Sequence, residues 1–265
     1  MIVTLQGGLA NQLFQYAFGI SVAKARGEEV FFTRNRVDAD VKRSYSLGMF
    51  RKDIRFIEKE SENKFYDSGV FNPDVYTAPA DTTFIGYWQS EKWLDEPLVR
   101  SRIQQPEFLV YDTLRIAGEI EAANNSVFIH VRRGDYVKEK RTQDFHGSLP
   151  IEYYYGAILR IRDSAFAKFF VFSDDPEWCR EHFPKDFVIV DHNKPGDGKR
   201  VGDEGQDLWL MSLCRHAIIA NSAFSWWGAW LGDTQKDRTV IAPIRWFKDL
   251  NINGFDIAPD RWIKI

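Results

Sequence analysis

Apolar and polar positions fall into blocks whose period changes along the chain. Residues 2–6 read as a short strand, then Gly7-Gly8 as a turn, then residues 11–25 as a helix. Leu13, Phe14, Ala17, Phe18 and Val22 recur there at helical spacing. Gly27 ends that helix and residues 30–33 form the next strand. The stretch 34–80 is mixed and predicts no ordered series. Residues 84–89 read as a strand, and 94–121 as helical in parts, interrupted by Pro97 and Pro106.

The second half is more regular. Ser126–Val131 is a continuous apolar run, as a strand buried on both faces would be. Helices are predicted over 151–161, Pro176–His182, 203–215 and Ala223–Leu231. Strands are predicted over Lys168–Ser173, 187–190, 217–220 and 239–242. This alternation predicts an α/β fold with parallel sheets covered by helices. The polar, glycine-rich segment 193–205 reads as a mobile loop. A boundary is placed at 125/126, giving halves 1–125 and 126–265.

Composition narrows the function. With 35 basic and 38 acidic residues the net charge is -3, which argues against a nucleic-acid binder. Aromatic residues make up 15%, nine of them Trp. They fit either a large aromatic core or a surface on which sugar rings rest. Cys179 and Cys214 are too few for a disulfide framework or a cysteine-based zinc site, which fits a reducing compartment. Residues 1–23 carry no charged side chain, but polar residues interrupt the run and no basic region precedes it, so it reads as mature structure. The uncharged run 217–232 is too short and too polar to span a bilayer, which takes about 20 apolar residues. The expected location is the cytoplasm, with peripheral contact at the inner membrane face left open.

Four segments carry candidate chemistry. HVRRGDY, residues 130–136, directly follows a buried strand. Ligands of open α/β sheets favour that carboxyl edge, and arginine offers a phosphate a planar fork of donors. One arginine would face the ligand while its neighbour braces the loop, unless Asp135 simply closes an exposed turn. GGLANQ, residues 7–12, lies between a strand and a helix. It would let backbone approach an anion, or be a tight turn with Asn11 as helix cap. FSDD, residues 172–175, ends another strand; its acids would accept hydrogen bonds from a base or ribose, or cap the next helix. NSAFSWWGAWL, residues 221–231, offers Ser222 and Ser225 at a helix start. Trp226 and Trp230 share one helical face and read as core. His130 would touch base or phosphate, or be structural. The other histidines show no metal-ligand spacing.

Together these segments resemble the α-1,2-fucosyltransferases, glycosyltransferase family 11. The resemblance is carried by GGLANQLFQYA (7–17), HVRRGDYV (130–137), FSDD (172–175) and DLWLMSLCRHAIIANSAFSWWGAWL (207–231). Ala223 stands where the family often has a second Ser.

The resemblance implies a GT-B-like fold, two Rossmann-like halves with parallel sheets facing a cleft. The N-terminal half would serve the acceptor and the C-terminal half GDP-β-L-fucose. It implies inverting transfer of L-fucose to the 2-hydroxyl of a terminal β-galactoside, with no metal or other cofactor. Its partners would be GDP-fucose and a galactose-terminated glycan, and no nucleic acid. Arg133 would stabilise the leaving diphosphate, supported by Arg132 and His130. Ser222, Phe224 and Ser225 would donate to the phosphates. Asp174, with Ser173 nearby, would read guanine. Asn11 and Gln12 would lie near fucose or the phosphates. Asp135 is the candidate base, with Glu139, Asp144 and His146 as competitors. Two other readings share parts of the pattern: a fucosyltransferase of different linkage, and a non-catalytic sugar-binding module. The paired arginines count against the module, which needs no diphosphate site.

Overall fold

The structure is a computed structural model and describes residues 1–50, 54–103, 105–194, 203–235 and 237–265. It separates into two compact units. Of the described residues, the first holds Met1–Phe108, 203–205 and Phe255–Pro259; the second holds Leu109–Lys194, Gln206–Gly254 and Asp260–Ile265, so the first two residues of Glu204–Leu213 lie in the first unit. Position 125/126 lies inside the second unit.

In the first unit the elements run β1 (Ile2–Thr4), α1 (Leu9–Arg26), β2 (Phe31–Thr33), α2 (Asn35–Asp38), β3 (Lys64–Tyr66), β4 (Thr83–Ile85) and α3 (Glu96–Arg102). The strands form a wholly parallel sheet in the order β2-β1-β4-β3. Helix α1 buries Leu13, Phe14, Ala17, Phe18 and Val22, the face its spacing predicts. It starts at Leu9 with Gly8 at its N-cap, so Asn11 sits within the first turn and does not cap it. Pro97 occupies the first turn of α3 and Asp95 caps that helix by accepting from Leu98 N. The proline therefore starts a helix, because the first turn needs no N–H there.

The second unit continues with α4 (Tyr111–Ala122), β5 (Ser126–Val131), α5 (Gly134–Lys138), α6 (Lys140–Phe145), α7 (Ile151–Ile158), β6 (Lys168–Ser173), α8 (Pro176–His182) and β7 (Val188–Val190). Helix α9 (Glu204–Leu213), β8 (His216–Ile218), α10 (Ala223–Leu231), β9 (Val240–Ala242) and β10 (Ile263–Lys264) complete it. Its parallel sheet has the order β10-β9-β8-β5-β6-β7. Read from the far edge this is 3-2-1-4-5-6, the doubly wound order of dinucleotide-binding sheets. The chain leaves β5 in one direction and returns to its other side at β8. The switch point therefore lies between β5 and β8.

The α/β class with parallel sheets is thus as the pattern predicts. Two short helices after β5 carry no clear periodicity and were not expected. Strand β10 pairs with β9 but is too short to show alternation. Of the segment 193–205, residues 195–202 lie outside the described residues, while Glu204 and Gly205 begin α9. Among the described residues no helix is long and apolar enough to cross a membrane.

Every residue of β5 is buried, and Val127, Ile129 and Val131 pack with Tyr154, Ala157, Val171, Ile218 and Ile241. Trp226, Trp227 and Trp230 are buried in α10, with Trp226 stacked on Trp230 at 5.8 Å. The tryptophans of that motif are core, as their shared face predicts.

Two buried histidines make stability depend on pH. Burial lowers His130 to about 3 and His216 to about 4. His216 Nδ1 also accepts from Thr239 N at 2.9 Å, which requires an unprotonated nitrogen. Below the unfolded value near 6.5 the unfolded chain takes up protons that the folded chain refuses. Stability therefore falls with pH, by up to about 1.4 kcal/mol per unit for each histidine. The penalty opens below pH 6.5 and is complete for His216 near 4 and for His130 near 3. Thermal unfolding should show a lower Tm at pH 5 than at pH 7.5; a flat profile would contradict it.

Candidate active site

The second sheet brings three of the motifs to one edge. HVRRGDY follows β5, FSDD closes β6, and the start of α10 follows β8. These strands are neighbours and all point the same way. In the β5–β6 register, His130 lies opposite Phe172 and Val131 opposite Ser173. Continuing the register by two steps sets Arg132 beside Asp174 and then Arg133 beside Asp175, and those are the pairs that form.

Arg132 uses both terminal nitrogens on carboxylates. Nη1 lies 3.0 Å from Asp174 Oδ2, and Nη2 donates to Asp135 Oδ1 at 2.8 Å. Its guanidinium also lies 5.5 Å from the Tyr136 ring centre. Arg133 differs. Its Nε donates to Asp175 Oδ2 at 3.1 Å, and its guanidinium rests on the Trp178 ring at 4.2 Å. The named bonds leave its two terminal nitrogens as donors. The neighbouring arginines therefore divide into a brace held at both terminal nitrogens and a fork held through Nε.

Asp174 has an arginine partner on each oxygen, since Oδ1 accepts from Arg133 N at 2.8 Å. A carboxylate has further lone pairs, but in this arrangement its first task is to set the two arginines. Asp175 caps α8 by accepting from Trp178 N, and its own N–H donates to Ser173 Oγ at 2.9 Å. Of the two acids, Asp175 makes the helix cap that the sequence left as an alternative.

Gly134 explains how these groups can crowd. A Cβ there would sit 2.4 Å from Asp174 Oδ2. Gly134→Ala should therefore push the Asp174 carboxylate off Arg132. The expected result is a lower Tm, from one perturbed charge-assisted contact, with secondary structure retained. Thermal unfolding followed by circular dichroism checks this.

On the other side of β5, His130 is buried with its ring 5.5 Å from that of Phe224. Burial, helped by Arg132, holds it neutral, so it offers a hydrogen-bonding group and no charge. Ser222 caps α10, its Oγ accepting from Phe224 N at 3.3 Å. Ser225 is fully buried and its hydroxyl lies 3.1 Å from the carbonyls of both Ala220 and Ser222. Phe224 N–H and the Ser225 hydroxyl are thus engaged inside the chain. What α10 itself presents is the positive end of its dipole.

Tyr136 and Asn221 tie the edge together. Tyr136 Oη donates to Asn221 O at 3.2 Å. Asn221 Nδ2 approaches the carbonyls of His146, Gly147 and Trp246 at 3.0 to 3.1 Å. Neither role had a local signal, because both depend on chain segments far apart in sequence. His146 stacks on Tyr136 at 4.7 Å, and burial lowers it to about 4 despite the opposing pull of Asp135. Glu139 and Asp144 are exposed, Asp144 lying 3.9 Å from Lys248.

Asn11 and Gln12 belong to the first unit. Gln12 is fully buried. Its Nε2 donates to Gly7 O and Ser44 O, both at 2.8 Å, and its Oε1 accepts from Ser46 N at 2.9 Å. That amide holds the turn and the 44–46 strand of chain together. Asn11 is half-buried, and its Oδ1 accepts from Gln89 Nε2 at 2.9 Å.

A doubly wound sheet with paired guanidiniums and a helix N-terminus along its carboxyl edge has the form of an enzyme for nucleotide-linked substrates. Residues 1–265 match the model of glycosyl transferase family 11, and the chain belongs to that family. An α-1,2-colitosyltransferase of Escherichia coli is 32% identical to it, over 100% of this chain and 98% of its own length. A galactoside α-(1,2)-fucosyltransferase 1 of Leontopithecus chrysomelas is 30% identical, over 86% of this chain and 65% of its own. Among solved structures, the fucosyltransferase NodZ from Bradyrhizobium aligns over 86% of this chain and 90% of its own. That alignment has a TM-score of 0.49 and 16% identity.

Proposed function

We propose that this glycosyltransferase moves L-fucose from GDP-β-L-fucose to the 2-hydroxyl of a terminal β-galactoside, with inversion to an α-1,2 linkage. The observation that carries this reading is that the carboxyl ends of the neighbouring strands β6, β5 and β8 bring FSDD, the paired arginines with Asp135, and the α10 N-terminus to one edge of the second sheet. The two family relatives described above, both α-1,2 transferases by name, support the linkage.

In this reaction the acceptor 2-hydroxyl attacks the anomeric carbon from the face opposite GDP. The new C–O bond forms as the bond to the diphosphate breaks, so β becomes α. Negative charge grows on the departing diphosphate. Arg133 receives it through its outward fork, and the α10 N-terminus adds a fixed dipole. Arg132 keeps the loop in place through Asp135 and Asp174. The hydroxyl proton passes to Asp135. His130 adds a neutral hydrogen-bonding group, and Asp174 and Ser173 border the expected guanine side.

Charge is stabilised here by arginine, so no metal is needed and turnover should persist in excess EDTA. Loss of activity in EDTA, restored by Mn²⁺, would overturn that step. The test of the whole reading is incubation with GDP-fucose and a panel of β-galactosides, with NMR of the product linkage. A product linked elsewhere than at O2, or none, would sink it.

A second donor is favoured by one observation, the colitosyltransferase relative. Colitose is L-fucose without its 3-hydroxyl, so competition between the two nucleotide-activated sugars separates the readings. A cytoplasmic location with peripheral contact at the inner membrane face goes with this proposal. Cys179 and Cys214, both buried free thiols, fit a reducing compartment.

A further inference from the structure

The first sheet also has a switch point. The chain runs from β1 outward to β2, then returns through β3 to place β4 on the other side of β1. The loops after β1 and β4 meet there. Asn11 Oδ1 accepts from Gln89 Nε2 at 2.9 Å, and Gln15 Nε2 donates to Gly86 O at 3.0 Å.

The loop after β4 is held in an unusual shape. Trp88 has a φ of 55°, a conformation that a bulky residue adopts only when its surroundings impose it, most often at functional sites. Asp67 imposes it. Its Oδ2 accepts from Tyr87 N at 3.2 Å and from Trp88 N at 2.8 Å. Gly86 permits the approach, since a Cβ there would lie 2.0 Å from the Asp67 Cβ. The Trp88 ring is driven inward, stacked on Phe18 at 3.9 Å, and its buried Nε1 has no hydrogen-bond partner among the described residues. Burying an unpaired indole N–H in a strained backbone is unfavourable. What it achieves is to turn its two neighbours outward.

Those neighbours are Tyr87, 46% exposed, and Gln89, half-buried and bonded to Asn11. In the Asn11–Gln89 bond Asn11 uses its oxygen and Gln89 its nitrogen. Asn11 Nδ2 and Gln89 Oε1 remain as one donor and one acceptor. A donor and an acceptor, with an exposed tyrosine on the same loop as Gln89, match adjacent hydroxyls and the apolar face of a neutral hexose. None of the three side chains is charged, which suits a neutral sugar.

We infer that Tyr87, Gln89 and Asn11 form a subsite for a neutral hexose of the acceptor glycan, positioned by Asp67 and Trp88. The inference rests on the proposed transferase reading for its choice of acceptor over donor sugar.

The test is saturation-transfer NMR of methyl β-D-galactoside and lactose on the full chain with GDP present. The wild type should give transfer to the galactose ring protons. Tyr87→Ala and Gln89→Leu should each lose it while GDP affinity stays unchanged, and Tyr87→Phe should keep it. In steady-state kinetics Tyr87→Ala should raise the acceptor KM about tenfold, as for loss of one ring contact and its ordering effect, with the donor KM unmoved. Absence of transfer in the wild type, or its persistence in folded Tyr87→Ala and Gln89→Leu, would overturn the subsite. A shift in donor KM instead would also overturn it. Galactoside binding without any fucosylated product would sink the transferase reading and leave the subsite standing.

Discussion

Arg133→Ala is expected to weaken GDP binding by about 10- to 150-fold, corresponding to about 1.5–3 kcal/mol for one lost charge-assisted contact. Titration calorimetry in metal-free buffer measures it. The expectation follows from the different commitments of the two arginines. Arg132 spends both terminal nitrogens on Asp135 and Asp174, whereas Arg133 is anchored through Nε and by the Trp178 ring. Anchoring from behind holds the fork ready for an anion. Truncation also leaves Asp175 without its cation, and that carboxylate would itself repel a diphosphate. The double variant Arg133→Ala with Asp175→Asn separates the two effects. It should recover most of the lost thermal stability but only a small part of the affinity. Arg133→Lys should rescue poorly, because an ammonium cannot make two parallel hydrogen bonds to phosphate oxygens. Wild-type affinity in folded Arg133→Ala would end the assignment.

Asp135→Asn is expected to lower kcat by about 10²- to 10⁴-fold, the range of a lost general base, with GDP affinity nearly unchanged. The side-chain shape survives and its oxygen still accepts from Arg132 Nη2, so the loop should stay in place. Asp135→Ala removes the brace as well, and should lose both turnover and nucleotide affinity. The contrast between the two variants distinguishes proton transfer from positioning. Near wild-type turnover in Asp135→Asn would pass the proton to another group. The neutral His146 imidazole, stacked on Tyr136 and in the field of Asp135, would then be next to test.

Much of the second unit was legible in the letters. Strands Ser126–Val131 and Lys168–Ser173 and helices Pro176–His182 and Ala223–Leu231 lie where the pattern puts them, because each is long enough to show its period. Elements that rely on tertiary support were less legible. Strands β3 and β10 are too short, and α5 and α6 are brief turns of helix beside the site. In the first unit Trp88 and Asp67 carried no signal, since a left-handed tryptophan is a consequence of the carboxylate that holds it and not of its own preference. Ser225 and Gln12 are candidate ligand contacts by residue type and motif position, and the letters do not show that the Ser225 hydroxyl also lies 3.1 Å from the carbonyls of Ala220 and Ser222, or that the Gln12 amide donates to Gly7 O and Ser44 O.

The sequence alone determined which residues stand at strand ends: His130 to Asp135, Ser173 to Asp175, Asn221 and Ser222. Local periodicity suffices for that, as burial selects apolar side chains along each strand and stops where the strand does. Only the tertiary structure decided which strand ends are neighbours. Backbone pairing between parallel strands is nearly blind to side-chain identity, so nothing in the letters sets β5 between β6 and β8. That placement, and its register, bring Arg132 to Asp174 and Arg133 to Asp175, and so divide two adjacent arginines into a brace and a fork.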